Sequence, residues 1–159
     1  MPVFEDTLRI NVFAHNLTED MSTLSSHNDE VLMLLYMFSD TTSLSKPIVS
    51  EFFVLDSAQR EKQITRPIEM GNVRMLFILM ELDTDRSPDQ VEHIFRKSYA
   101  QILNLFTKKD LIALQKIIGD DDLIGFKVIE NSAPGSKQNF SFQGRYKLDK
   151  FSYRIIIER

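Results

Sequence analysis

The chain has 159 residues, 43% of them apolar and 26% charged, with a formal net charge of −4 and no cysteine. That length suits one well-buried domain, 1–159, and is short for two, while the missing cysteines exclude a disulfide framework, a thiolate zinc site and a cysteine nucleophile. The acidic balance argues against a general nucleic-acid binder, which needs a basic surface to displace counterions from phosphates.

Thr7-Leu8-Arg9-Ile10-Asn11-Val12-Phe13-Ala14 alternates apolar and polar residues for most of its length, which predicts a strand with one face in a core. His15 to Asp29 is polar, rich in Ser, Asn and Asp and without a helical period, so a long loop follows. Glu30 to Phe38 is apolar on both faces and makes the second strand. Asp40 to Pro47 turns the chain into a third, Ile48 to Leu55. Beyond the charged turn Asp56 to Lys62, the alternating Gln63 to Glu69 carries Pro67, which cannot donate to a ladder and suits an edge or a bulge. Met70-Gly71-Asn72 leads into Val73 to Leu82, whose near-continuous apolar run is that of a strand buried on both faces. A helix of this composition would lack its polar stripe.

Ser87-Pro88-Asp89-Gln90 changes the character of the chain. It combines an N-cap serine, proline at the first helical position and glutamine three residues after the cap. Val91, Ile94, Phe95, Tyr99, Ile102, Leu103 and Phe106 then recur at helical spacing. A second cap at Thr107 opens a shorter helix through Leu111, Leu114, Ile117 and Ile118, stopped by Gly119. The apolar face of this insertion, about 87–119, must be buried on the host domain or on a partner. Packing on the host is favoured, which leaves Lys97, Lys108 and Lys109 outward. Strand chemistry returns at Leu123 to Glu130. After the loop Asn131 to Lys137 come Asn139 to Leu148, with Gly144 read as a bulge, and Phe151 to Glu158, joined by a turn at Asp149-Lys150. The fold class is mainly β: an eight-stranded antiparallel sandwich with a two-helix insertion between strands five and six.

Asp83 and Asp85 follow the fifth strand one residue apart, so in extended backbone they point the same way. Like charges so placed repel by roughly 1 kcal/mol in water and about 4 near a protein surface. The pair therefore reads either as the holder of a cation or as turn residues that end a strand. No glycine-rich phosphate loop, nucleophile elbow or His-Asp-Ser spacing is present, and the expectation is not an enzyme. His15, His27 and His93 are too scattered for a zinc set. Arg60, Lys62 and Arg66, with Lys127 and Arg154, read as a solvated sheet face or as a basic face for anionic head groups. Met1 to Asp6 lacks the order of a signal peptide and no apolar run approaches the ~18 residues of a membrane span, so a cytoplasmic protein without a transmembrane segment is expected.

Two stretches carry a family resemblance. Leu8 to Leu17, followed by a loop with Asp20 that ends at Asn28-Asp29-Glu30-Val31, resembles the opening strand and first calcium loop of a C2 domain. Leu79-Met80-Glu81-Leu82-Asp83-Thr84-Asp85-Arg86-Ser87 is similar to that family's third calcium loop, with Asp122-Leu123-Ile124-Gly125 matching its usual continuation. Here the helical insertion splits that loop. Asn28 stands where the family has serine, and the first loop lacks its glycine. The order of strands and loops resembles the circularly permuted type II topology. The resemblance implies calcium as cofactor, with Asp20, Asp29, Asp83, Asp85 and Asp122 as metal ligands. It implies membrane targeting at an anionic, peripheral membrane surface, with Met21 and Leu24 near the tip of the first loop. The alternative is a calcium-independent C2-like scaffold that docks a protein partner in a larger assembly. An open ion site at the domain's tip would favour the first reading, and a covered one the second.

Overall fold

The structure is a computed structural model that describes residues 6–17, 28–38, 47–68, 73–82, 122–146 and 149–159, together with 87, 89, 90 and 93. Among the described residues there are eight strands: β1 (Asp6–Asn16), β2 (Asn28–Phe38), β3 (Val49–Asp56), β4 (Glu61–Ile68), β5 (Val73–Glu81), β6 (Asp122–Ser132), β7 (Lys137–Tyr146) and β8 (Asp149–Glu158). They form two four-stranded antiparallel sheets, one in the order β4-β1-β8-β7 and the other β3-β2-β5-β6.

The alternation read from the sequence is what faces these sheets together. Leu8, Ile10, Val12 and Ala14 of β1 and Tyr153, Ile155 and Ile157 of β8 point into one core with Val31, Met33 and Leu35 of β2 and Met75, Phe77 and Leu79 of β5. Period-two spacing leaves Arg9, Asn11, Arg154 and Glu158 on the other side of the first sheet, in or near solvent. Phe77 meets Phe140 and Phe142 of β7 across the sandwich, with ring centroids 5.7 and 6.2 Å apart.

Register fixes which connections share an end. The ladder Asn16↔Ser152 and the pair Phe13↔Glu61 set the finish of β1 beside the starts of β4 and β8. The pairs Asn28↔Asp56, Val31↔Glu81 and Glu81↔Asp122 do the same for the other sheet. The short β3–β4 turn ties the two ends into one. Asp56 Oδ1 accepts from the backbone N–H of Ala58 at 2.8 Å and of Gln59 at 2.7 Å, and Ala14 N donates to Arg60 O at 2.8 Å. An aspartate that bonds its own backbone two and three residues on is a turn former. The β1–β2, β3–β4, β5–β6 and β7–β8 connections therefore leave from the same end of the sandwich. At the opposite end Gly135, at φ 83°, supplies the left-handed residue of the β6–β7 turn, and its N–H donates to Arg159 O at 2.9 Å.

Several local expectations change. Gly144 lies in a regular ladder opposite Phe151 and is not a bulge; a Cβ there would meet the Phe151 ring at 2.5 Å, so the glycine makes room for an aromatic residue. Register shifts fall instead between Ala14 and Asn16, Val73 and Met75, and Leu79 and Met80. Asp149 and Lys150 are not the turn: they pair with Tyr146 and Arg145 as the first residues of β8. Pro67 sits on β4, an edge strand, where its missing N–H costs no ladder bond. The two-helix insertion about 87–119 lies outside the described residues, apart from its expected cap. There Ser87 N donates to Gln90 Oε1 at 2.9 Å and Gln90 N donates to Ser87 Oγ at 3.2 Å, the reciprocal bonds of a capping box.

Gly125 gives a test of how tightly β6 and β7 close over Phe77. A Cβ on Gly125 would lie 2.2 Å from Phe142 Cγ, at the root of a ring that is packed against the core. Gly125→Ala should therefore overpack the site and cost about 1–3 kcal/mol, read as a lower midpoint with unchanged slope in urea denaturation.

Candidate functional site

The β1–β2 and β5–β6 end of the sandwich holds the backbone of two of the five aspartates. Asp29 is the second residue of β2, and Asp122 opens β6 at the ladder position opposite Glu81. Asp20, Asp83 and Asp85 lie outside the described residues, as do Met21, Leu24, Lys97, Lys108 and Lys109.

Asp29 is fully buried, at 0% exposure. Its position follows from parity: it stands two residues before Val31, which faces the core, so a strand that buries Val31, Met33 and Leu35 also turns Asp29 inward. The Tyr153 hydroxyl, carried on β8 of the other sheet and itself 0% exposed, donates to Asp29 Oδ2. Burying a carboxyl among apolar residues costs several kcal/mol unless its oxygens are bonded, and a hydroxyl from the facing sheet meets that demand. The bond also links β2 to β8 across the sandwich, at the end where the β1–β2 connection passes between sheets.

Glu81 is a second inward acid. It pairs with Val31 and so shares the Asp29 face, with 5% exposure. In the sequence Glu81 falls inside the apolar run Val73 to Leu82. The signal that could have found it is again parity, since Met75, Phe77, Leu79 and Glu81 occupy alternate positions of one face. Next to them the backbone is closed: Leu82 N donates to Glu30 O at 2.8 Å, continuing the β2–β5 pairing past the last strand residue. Among the described residues, no three His, Asp or Glu side chains are grouped as a metal ion would need.

The basic residues are dispersed. Arg66 pairs with Glu51, joining the edge strands β4 and β3 of the two sheets. Arg60 Nη1 donates to His15 O at 3.0 Å, and Arg154 Nε donates to Asn139 Oδ1 at 3.2 Å. Lys127 is on β6, in the other sheet from β4 and β8. They do not make one face. His15 is exposed with its ring edge-on to Phe13 at 4.7 Å, and His93 is exposed. A shallow groove on the outer face of the first sheet is lined by Arg9, Asn11, Gln63, Thr65 and Glu158. Asn11 Nδ2 and Gln63 Nε2 both donate to Glu61 Oε1 there, at 2.7 and 2.9 Å, so these polar groups satisfy one another. The large apolar residues most open to solvent among those described are Ile48, Phe52 and Val54, at 41, 45 and 44% exposure; Phe52 and Val54 form an outward row on edge strand β3.

No family model and no curated protein matches the sequence. Among solved structures, one described as the structure of a C2 domain is similar to this chain, with 9% identity and a TM-score of 0.38 over 97% of this chain and 99% of its own. No helix among the described residues is long and apolar enough to cross a membrane.

The Tyr153–Asp29 bond should matter far more than the visible surface ion pairs. Tyr153→Phe removes a hydroxyl from a buried carboxyl and should cost about 1–3 kcal/mol. Arg66→Ala, which breaks a half-exposed pair, should cost less than about 1 kcal/mol. Equal losses in chemical denaturation of the two variants would contradict this ranking.

Proposed function

We propose that this chain is a C2-like binding module that docks a protein partner and works without calcium. The observation that carries the reading is Asp29. Of the five aspartates that the family resemblance implies as ligands, it is the one whose side chain is described, and that side chain is sealed in the core and bonded by Tyr153. Calcium takes about six to eight oxygens from ligands that open onto a loop cleft. A carboxyl bonded inside the sandwich gives up that role unless the end of the domain opens. Glu81, on the same inward face, is buried in the same way.

The dispersal of Arg60, Lys62, Arg66, Lys127 and Arg154 weakens the alternative of an anionic membrane surface. Attraction to such a surface grows by about 1 kcal/mol for each basic residue that reaches it together. The exposed apolar row Phe52 and Val54, with Ile48 just before β3, supports a protein partner, because apolar side chains at the centre of a patch carry most interface energy. The module binds and positions; it performs no chemistry of its own.

Calcium decides between the readings. A ligand at a hundredfold excess over its Kd stabilises a protein by about 2.7 kcal/mol, which raises Tm by roughly 5–10 °C at this chain length. The docking reading predicts that millimolar calcium moves Tm by less than about 1 °C, and that Asp83→Asn with Asp85→Asn leaves this non-response as it is. It also predicts no calcium-dependent cosedimentation with vesicles containing phosphatidylserine. A clear rise in Tm that the double variant abolishes, with calcium-dependent vesicle binding, would replace it with the membrane-targeting reading.

A further inference from the structure

Among the described residues, four strands end the two sheets: β3 and β6 in one, β4 and β7 in the other. An end strand presents a row of backbone N–H and C=O groups on its open side, and proteins blunt such a row with proline, lysine, a bulge or polar side chains. Three of the four are blunted. β4 carries Lys62 and Pro67. β6 carries an extra residue at both of its register shifts against β5, since Leu79 and Met80 face Gly125 and Leu123, and Val73 and Met75 face Ser132 and Ile129. β7 turns the exposed polar row Asn139, Ser141 and Gln143 outward.

β3 has none of these devices. It pairs with β2 in one unbroken register from Val49 to Asp56, without lysine, proline or glycine. Glu51 points inward, but Arg66 of β4 already pairs with it. Phe52 and Val54 form the outer row, at 45 and 44% exposure, and Phe52 continues the apolar layer that is buried at its ladder partner Leu32. Among the described residues, no backbone group bonds 49–55 on the open side. One end of the row is acidic. Asp56 comes next on the same face and uses Oδ1 to hold the turn through Ala58 and Gln59. Glu30, opposite Val54 on β2, is half-buried and makes no ion pair among the described residues.

We propose that β3 takes up one more strand, an extended segment of a protein partner that runs antiparallel to it, with apolar residues opposite Phe52 and Val54 and a lysine or arginine opposite Asp56. The inference rests on the docking reading above and names the chemistry of the partner. In a strand addition, backbone bonds give affinity and alternate side chains give specificity. Antiparallel pairing is the more stable per residue, and opposite charges facing each other across a pair attract. Along the partner the pattern is therefore a cation followed by apolar residues two and four positions later. A second copy of this chain does not supply it. Two-fold pairing of β3 with itself about Glu51 sets two glutamates opposite each other, and pairing about Phe52, Phe53 or Val54 sets Asp56 opposite Ile48, Ser50 or Phe52.

The probe is a cyclic β-hairpin peptide whose free strand reads Lys-Thr-Val-Thr-Val, added at millimolar concentration to the isotope-labelled full chain. Amide signals of residues 49–56 should shift and their hydrogen exchange should slow. Methylating the outward backbone amides of the free strand should weaken binding by about tenfold or more, because each lost bond counts for about 1 kcal/mol. Val54→Lys, a change at an exposed position, should weaken it comparably. Asp56→Asn keeps a side-chain oxygen for the turn, and together with Glu30→Gln it should remove the preference for the lysine peptide over its glutamate version. The proposal is overturned if the peptide leaves 49–56 unmoved, if the methylated peptide binds as well as its parent, or if these signals shift with protein concentration alone, which would make a second copy the occupant. A calcium-dependent rise in Tm with vesicle binding would remove the docking reading itself, whereas calcium silence without peptide binding at β3 removes the strand addition and leaves that reading standing.

Discussion

The pairing of β2 with β5 is the constraint from which the architecture follows. Val31 to Tyr36 and Met75 to Met80 are buried on both faces along their common length. A sheet that is apolar on both sides is stable only as the middle layer of a stack, because each face left in water would forfeit roughly 25 cal/mol per Å² of apolar area. One face is served by β1 and β8. The other face, with Leu32, Leu34, Tyr36, Leu76, Ile78 and Met80, is equally buried. The flanking strands can then be mixed in character, and β3, beside β2, shows it in its alternating burial.

The same constraint shapes the chemistry of the β1–β2 and β5–β6 end. A strand committed to the core cannot easily release its last residues into a loop, so acids near the ends of β2 and β5 are drawn inward with their apolar neighbours. Asp29 and Glu81 are the result. The inward turn of Asp29 is met by a tyrosine from the opposite sheet, and the carboxyl becomes a link between layers. A residue type that suggests an ion site can thus also link the two sheets, and its parity relative to the core is what turns it inward.

Much of this was legible in the sequence. Alternation in Leu8 to Ala14 and near-continuous apolar runs in Glu30 to Phe38 and Val73 to Leu82 were enough to find the strands and to tell one-sided from two-sided burial. Pro67 marked an edge because proline lacks a donor, and Ser87 with Gln90 marked a cap because their side chains fit each other's backbone. What sequence could not supply was long-range pairing. Gly144 looks like a bulge until Phe151 is known to lie across from it. Nothing local to Asp29 shows that Tyr153, far along the chain, bonds it. The basic residues look like one face until β6 is assigned to one sheet and β4 and β8 to the other. Side-chain chemistry is local, and the neighbours that decide its use are not.

Native-state hydrogen exchange tests the central role of the β2–β5 pair most directly. The account predicts that amides of Val31 to Tyr36 and Met75 to Met80 exchange slowest in the chain, open together at the free energy of global unfolding, and do so equally with and without calcium. Exchange from β2 and β5 as fast as from the edge strands β4 and β7, or protection that appears only when calcium is added, would contradict it.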